Sequence, residues 1–295
     1  MIGTTSGLQL FASAESEQID ILSMPSRYSQ ASGDALVNLA EARQNCMVLL
    51  DVPPWATVDT PQEAVSWSNG GGYGRTTTIA SSFAAIYWPE ISTYDEYNSL
   101  YQWTFPDGFV AAAWANSDKI SYRWWAPAGG QRGKVLGVSG LRMTPNQGHR
   151  DYMLGGLNCI NPIVSFSNEG VMLYGQKTCL RATTALNRIN TRRMLIWIEQ
   201  KAAASLRNIV TDPNDQYTWN QVKNILDPLF RYVKAQRGLT DYLIVCDDTN
   251  NTAITKANYQ LIVEAYIKPT PAAEEIRIRF ILTSQSANFQ ELMGA

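Results

Sequence analysis

The segment Asp107–Gly130, DGFVAAAWANSDKISYRWWAPAGG, decides how the rest of the chain is read. Phe109, Val110, Ala113 and Trp114 recur at i, i+1, i+4 and i+5, the spacing of one apolar stripe on a helix, which Asn116-Ser117-Asp118 is expected to end. Trp124, Trp125 and Pro127 then form a stiff aromatic corner ahead of Gly129-Gly130. Nothing in the stretch looks catalytic; it reads as packing material.

The bulk properties around it point the same way. With 295 residues, 45% of them hydrophobic, the chain can bury a large core as one big domain or two. A formal charge of −2 with 24 dispersed basic residues gives no electrostatic footprint for nucleic acid or an anionic membrane. Cys46, Cys159, Cys179 and Cys246 are far apart in apolar contexts and read as small buried hydrophobes of a reducing compartment, not as a disulfide frame. The single histidine and the lack of a C-x-x-C leave no metal site. There is no apolar run of membrane-spanning length and no signal peptide at MIGTTSGLQLFASAESEQ, so the chain is expected to be soluble and made in the cytoplasm of its producer.

Along the chain, residues 1–33 are polar and read as an irregular lead-in or a truncated end, followed by an α/β region at 34–130, an α+β region at 131–283 and a polar tail or arm at 284–295. Asp34 is expected to cap a helix with the face Leu36, Leu39 and Ala40, and Met47–Leu50 reads as a buried strand closed by Pro53-Pro54. Asn69–Gly74 is a loop, Ile79–Tyr87 a strand, and Lys134–Val138 and Val171–Tyr174 are shorter strand candidates. Two helices follow, over about Arg192–Val210 with the stripe Leu195, Ile198, Ala202, Leu206 and Ile209, and over about Trp219–Ala235 with Val222, Leu226, Leu229, Phe230 and Val233. Pro228 is expected to kink the second and Gly238 to stop it. Strands at Tyr242–Cys246, Tyr259–Ile267 and Ile276–Leu282 close an α+β fold with mixed or antiparallel sheets packed against helices.

Candidate chemistry dissolves on inspection. His149-Arg150-Asp151 imitates a kinase catalytic loop, but Gly156 stands where the magnesium-binding Asn is needed, and no Val-Ala-Ile-Lys or Asp-Phe-Gly accompanies it. Gly129–Lys134 has phosphate-loop character with the spacing one short and Val135 in place of Ser or Thr, while Gly70–Gly74 lacks the dinucleotide context. There is no G-x-S-x-G elbow for a hydrolase. Cys246–Thr252 is rich in oxygen ligands, but lacks the Gly and Glu of a calcium loop and reads as a turn that satisfies its own backbone. No catalytic residue, cofactor or metal is expected.

The same segments, taken in order from about residue 34 to about residue 283, resemble the contractile tail sheath proteins of phages, R-type pyocins and type VI secretion systems. The carriers are Leu49-Leu50-Asp51-Val52-Pro53-Pro54, Ala84-Ala85-Ile86-Tyr87-Trp88-Pro89, the helix and W-x-A-P-A-G corner of Asp107–Gly130, Leu157-Asn158-Cys159-Ile160-Asn161-Pro162-Ile163, Tyr174-Gly175-Gln176-Lys177-Thr178, and Asn190-Thr191-Arg192-Arg193. Lys177 replaces the family's usual Arg and Tyr174 its usual Trp.

The resemblance implies a two-domain, non-enzymatic subunit, here lacking the N-terminal part of a longer chain. Such a subunit polymerises helically around a tail tube, meets baseplate and tail terminator proteins, and shortens to drive the tube through a cell envelope. It implies a place in the virion tail, after assembly in the host bacterial cytoplasm. Another tail or baseplate protein, or an enzyme of unrecognised mechanism, is the alternative. The family links subunits by arms that add strands to a neighbour's sheet. Here the candidate is Ile276, Arg277, Ile278, Arg279, Phe280, Ile281 and Leu282, whose alternation suits a strand with one buried face, either as an arm or as an ordinary internal strand. Arg193 and Arg207 share one side of their helix and read either as tube contacts or as a solvated face. The isolated chain is expected to be a monomer.

Overall fold

The computed structural model describes residues 7–13, 17–24 and 28–274. Their order is β1 (Ile21–Ser23), α1 (Gln30–Arg43), β2 (Met47–Leu50), α2 (Pro61–Ser68), β3 (Ala84–Trp88), β4 (Ile91–Asp95), β5 (Leu100–Thr104), α3 (Asp107–Ile120), α4 (Gly129–Arg132), β6 (Gly140–Leu141), α5 (Gln147–Leu154), β7 (Ile160–Phe166), β8 (Gly170–Leu173), α6 (Ile189–Leu206), α7 (Gln216–Ala235), β9 (Leu239–Val245), α8 (Ala253–Ala257) and β10 (Glu264–Pro269). The fold is α+β with mixed sheets, in agreement with the sequence.

The central sheet has the order β1-β2-β3-β7-β8, with β1, β2, β3 and β7 parallel and β8 antiparallel at the edge. Every residue of β2 and β3 is buried, as expected of parallel strands covered on both faces, which explains why MVLL and AAIYW are uninterrupted apolar runs. A second, three-stranded antiparallel sheet runs β5-β4-β6, and β9 and β10 form a separate antiparallel pair.

The buried side chains fall into two clusters. The first gathers Leu36, Leu49, Ile86, Val110, Trp114, Ile160 and Leu173 around the central sheet; the second gathers Trp124, Met194, Trp219, Leu226, Phe230 and Val233 between α6, α7 and β9. The stretch 107–130 joins them, with α3 in the first and Trp124 in the second. A division at 130/131 is therefore not what the packing shows, because β7 and β8 complete the central sheet and the second cluster draws its helices from α6 onward.

Several local expectations are corrected. The lead-in is not wholly irregular: β1 pairs with β2, and Arg43 grips the carbonyls of Phe11, Ser13 (2.8 Å) and Glu17 (2.7 Å). Helix α1 is capped by Ser29, not by Asp34, which instead pairs with the buried Arg75. Helix α3 runs on through Asn116–Asp118 to Ile120, and His149–Asp151 lies on α5, capped by Asn146. The strand expected from Ile79 starts at Ala84, Lys134–Val138 contributes a single bridge from Lys134 to Met172, and the strand expected from Tyr259 starts at Glu264 because α8 and a turn precede it. Helix α2 went unread, although Thr60 and Glu63 form a reciprocal capping box with Pro61 at the first turn.

Helix α7 continues through Pro228 and ends in a Schellman turn: Arg237 takes the left-handed conformation (φ 64), its N–H donates to Lys234 O at 3.0 Å, and that of Gly238 donates to Val233 O at 2.8 Å. The glycine is thus required by space, not by handedness. A Cβ on Gly238 would lie 2.6 Å from Val233 Cγ1 and 2.9 Å from Trp124 Cδ1. Trp124 cannot give way, since its Nε1–H donates to Gln236 O at 3.0 Å and its ring stacks on Tyr122. Gly238→Ala is expected to cost about 2–3 kcal/mol in denaturant unfolding; a loss below about 0.5 kcal/mol would show that this corner is plastic.

Candidate assembly site: an open strand edge and the seam behind it

Helix α7 turns Trp219, Val222, Leu226, Phe230 and Val233 inward, a stripe spaced three and four apart, and this face carries the β9/β10 pair. Among the described residues β9 pairs with β10 alone, so its other edge has no strand partner. That edge borders a groove of about 730 Å³ floored by α7, with Lys223, Asp227, Arg231, Lys234, Asp241 and Tyr242 on its walls. The charges are locally matched: Arg231 pairs with Asp227, and Lys234 with Asp241 at 2.8 Å. The Tyr242 hydroxyl donates to Asp227 Oδ1 at 2.7 Å, which with Arg231 holds the Asp227 carboxyl below its usual range. Leu243, 59% exposed, and Tyr266, 57% exposed, stand on the outer surface of the pair. An extended peptide laid along β9 would find backbone groups to pair with and apolar surface to cover.

Behind this hairpin lies the seam between the two clusters. Arg193 on α6 ion-pairs with Asp118 on α3, and its guanidinium sits 5.0 Å from the Trp114 ring centroid. Asp118 also meets Arg123 at 3.6 Å, and Arg123 makes a two-pronged contact with Asp20 at 2.7 and 2.6 Å. Burial pulls the Arg193 guanidinium down, and Asp118 opposes it. Trp114 Nε1–H donates to Tyr87 Oη at 3.3 Å, and burial pushes that phenol up. Further along α6, Gln200 Nε2 donates to the carbonyl of Asn45 at 2.9 Å.

This arrangement corrects the expected basic face of α6. Arg193 is 6% exposed and occupied inside the subunit, so Arg193 and Arg207 do not form one surface; Arg207, in the 3-10 turn that follows α6, is exposed. The stripe is also broader than expected, because Ile189 and Ile196 pack into the first cluster while Met194 and Ile198 pack into the second. The strand candidate Ile276, Arg277, Ile278, Arg279, Phe280, Ile281 and Leu282 lies outside the described residues.

The motif residues turn out to be a bracing system. Asn161 Nδ2 donates to Ile86 O at 3.0 Å and to Lys177 O at 2.8 Å, while its Oδ1 accepts from Lys177 N at 2.6 Å, tying β3, β7 and the chain after β8 together. A Cβ on Gly175 would lie 2.7 Å from Asn161 Oδ1, which accounts for the glycine. The Lys177 ammonium donates to the carbonyls of Leu154, Gly156 (3.1 Å) and Asn158 (3.5 Å), closing the turn after α5. Lys177→Met strands those carbonyls and is expected to cost about 1–3 kcal/mol, with Lys177→Arg retaining most of it; equal losses for both substitutions in thermal melts would contradict the bracing role.

The remaining candidates are structural. The Asp247–Asn251 turn uses its own oxygens: Asp247 Oδ1 accepts from Thr249 N at 3.0 Å, and Asn251 Oδ1 accepts from Ile262 N at 2.7 Å. The four cysteines are buried and unbridged, and the thiols of Cys159 and Cys179, distant in sequence, touch; burial pushes the Cys179 thiol well up. Among the described residues no helix is long and apolar enough to cross a membrane.

Comparison with known proteins gives a coherent picture. Residues 2–179 match the family model for the phage tail sheath protein central domain, and residues 181–283 that for the phage tail sheath C-terminal domain. The tail sheath protein of Vibrio phage KVP40 is 28% identical over 97% of this chain and 43% of its own length, and that of Enterobacteria phage T4 is 29% identical over 88% and 40%. The tail sheath protein of Salmonella phage ViI is 32% identical over 68% and 31%. The chain thus spans about two fifths or less of the length of these relatives. Among solved structures, the contracted sheath of the extracellular contractile injection system PVC superimposes with a TM-score of 0.75 at 20% identity, covering 92% of this chain and 73% of that one. The contracted helical sheath of the anti-feeding prophage gives 0.67 at 20% identity, covering 90% and 70%.

Proposed function

The chain belongs to the phage tail sheath family, and on that premise we propose that it is part of a contractile sheath subunit, a structural protein that packs into a helical homopolymer around an inner tail tube and shortens to drive that tube through a host envelope. Its partners are then further copies of itself, the tube protein, and the baseplate and tail terminator proteins, and its place is the virion tail, reached after assembly in the host cytoplasm. The relatives are structural sheath proteins, and this reading asks for no catalysis: the work comes from the difference in free energy between two packings of one subunit.

One observation carries the reading. Among the described residues the β9/β10 pair is a two-stranded sheet with an open edge beside a groove, and an isolated pair of strands gains stability by acquiring more. The segment Ile276–Leu282 of another copy has the alternation to supply one. Arg207 stays a candidate tube contact through its exposed charge; Arg193 serves the subunit's interior. The test is negative-stain imaging of lysates in which whole tails assemble, with antibody to this chain. Labelled tubular sheaths support the reading; label confined to baseplates, or absent from particles, overturns it.

A further inference from the structure

The chain leaves β10 along a cleft of about 350 Å³ whose walls include Thr184, Arg188, Asn190 and Pro271. Pro269 and Pro271 fix their own φ and hold Lys268 and Thr270 extended, so this stretch is short and stiff. Thr270 N–H donates to Gly238 O at 3.0 Å, the last backbone bond that continues the hairpin. Ala272 and Ala273 bring no polar side chain. Glu274 then takes hold: its Oε1 meets Arg188 Nε at 2.5 Å and accepts from Gln176 Nε2 at 3.0 Å, while its Oε2 accepts from Arg188 Nη2 at 2.8 Å.

The fork of Arg188 on both oxygens is the geometry in which an arginine–carboxylate contact has direction as well as strength. Its base is rigid. Arg188 stands at the residue before the first turn of α6, Gln176 is 6% exposed, and the segments carrying them are joined by Ile189 N to Gln176 O at 2.8 Å and by the bridge between Lys177 and Arg188. Gln176 lies within the central family segment and Glu274 within the C-terminal one, so the contact also crosses between the two.

We infer that Glu274 is a positioning residue: with Arg188 and Gln176 it forms a clasp that fixes the position and direction of the chain at residue 274, from which residues 275–295 continue. This rests on the reading in which that segment links copies. A linking strand held at its root has less freedom to lose when it pairs with a neighbour, so the clasp pre-organises the link.

The test is made on the monomeric full chain, so that it stands apart from whether residues 276–282 enter a neighbour's sheet, which truncation tests separately. Spin labels at Ser284→Cys and at the exposed Ala203→Cys report the distribution of distances between those two positions; the native cysteines are buried. Hydrogen exchange reports Thr270, Ala272, Ala273 and Glu274. Glu274→Ala and Arg188→Ala are expected to raise exchange at these amides about fivefold and to broaden the distance distribution about twofold, with an unchanged melting temperature. The exchanged pair Arg188→Glu with Glu274→Arg is expected to restore both. A wild-type distribution already as broad as those of the variants, unchanged exchange, or no recovery in the exchanged pair would overturn the inference.

Discussion

Replacing Asp118 by alanine is expected to be the most damaging single change to the fold outside the apolar cores. It leaves Arg193, whose side chain is 7% exposed, charged and unpaired against Trp114. Removing one partner of a buried ion pair costs about 3–5 kcal/mol, and because Asp118 itself is 23% exposed the lower end applies, roughly 3 kcal/mol. For a chain of this size that lowers the melting temperature by roughly 6–10 °C. Arg193→Met in the same protein removes the orphaned charge while keeping the stem against the tryptophan, and is expected to recover at least half of the loss. A double-mutant cycle checks this. A loss below about 1 kcal/mol for Asp118→Ala, with no recovery in the pair, would mean that the seam behaves as an ordinary surface contact.

The second large effect concerns assembly. Removing Ser284–Ala295, a mostly polar tail by composition, is expected to leave the melting temperature within about 2 °C, since so polar a sequence has little apolar surface to bury. Cutting before Ile276 is the sharper case. If Ile276–Leu282 pairs with a neighbouring copy, this cut too spares the melting temperature but abolishes tubular sheaths; if it completes the subunit's own sheet, the melting temperature falls with it. Melting curves and particle counts on the same two truncations separate the cases. Normal sheaths from the shorter protein would place the linkage elsewhere.

What the sequence revealed and what it hid follow from how local the signals are. Met47–Leu50 and Ala84–Trp88 were readable because strands buried on both faces are continuous apolar runs, and the stripe of α7 because its period is regular from Trp219 to Val233, about four turns. The β4–β5 hairpin was invisible for the opposite reason: β5 is exposed along most of its length, so LYQWT carries no alternation to read. Asp34 was read as a cap by residue type, whereas it lies inside α1, which Ser29 caps, and it pairs with Arg75, 41 positions away. Arg193 shows the same limit. Its spacing with Arg207 suggested an outer face, while its partner Asp118 lies 75 positions upstream and joins it only once the two clusters pack. The thiol contact of Cys159 with Cys179 likewise depends on the turn between β8 and α6. By contrast, the box Thr60-Pro61-Gln62-Glu63 was a complete local signal for α2. The open edge of β9 was beyond sequence altogether, because a strand's pattern does not say how many neighbours it has.

In the proposed sheath the edge of β9 that is unpaired among the described residues receives a strand from another copy, and amide exchange along β9 tests this most directly. In the monomer the outward amides among Asp241–Ile244 are expected to exchange quickly, and in sheaths isolated from assembled tails they are expected to slow by at least about a hundredfold, the protection of a paired strand. Equal exchange in the two states, or strong protection already present in the monomer, would contradict it.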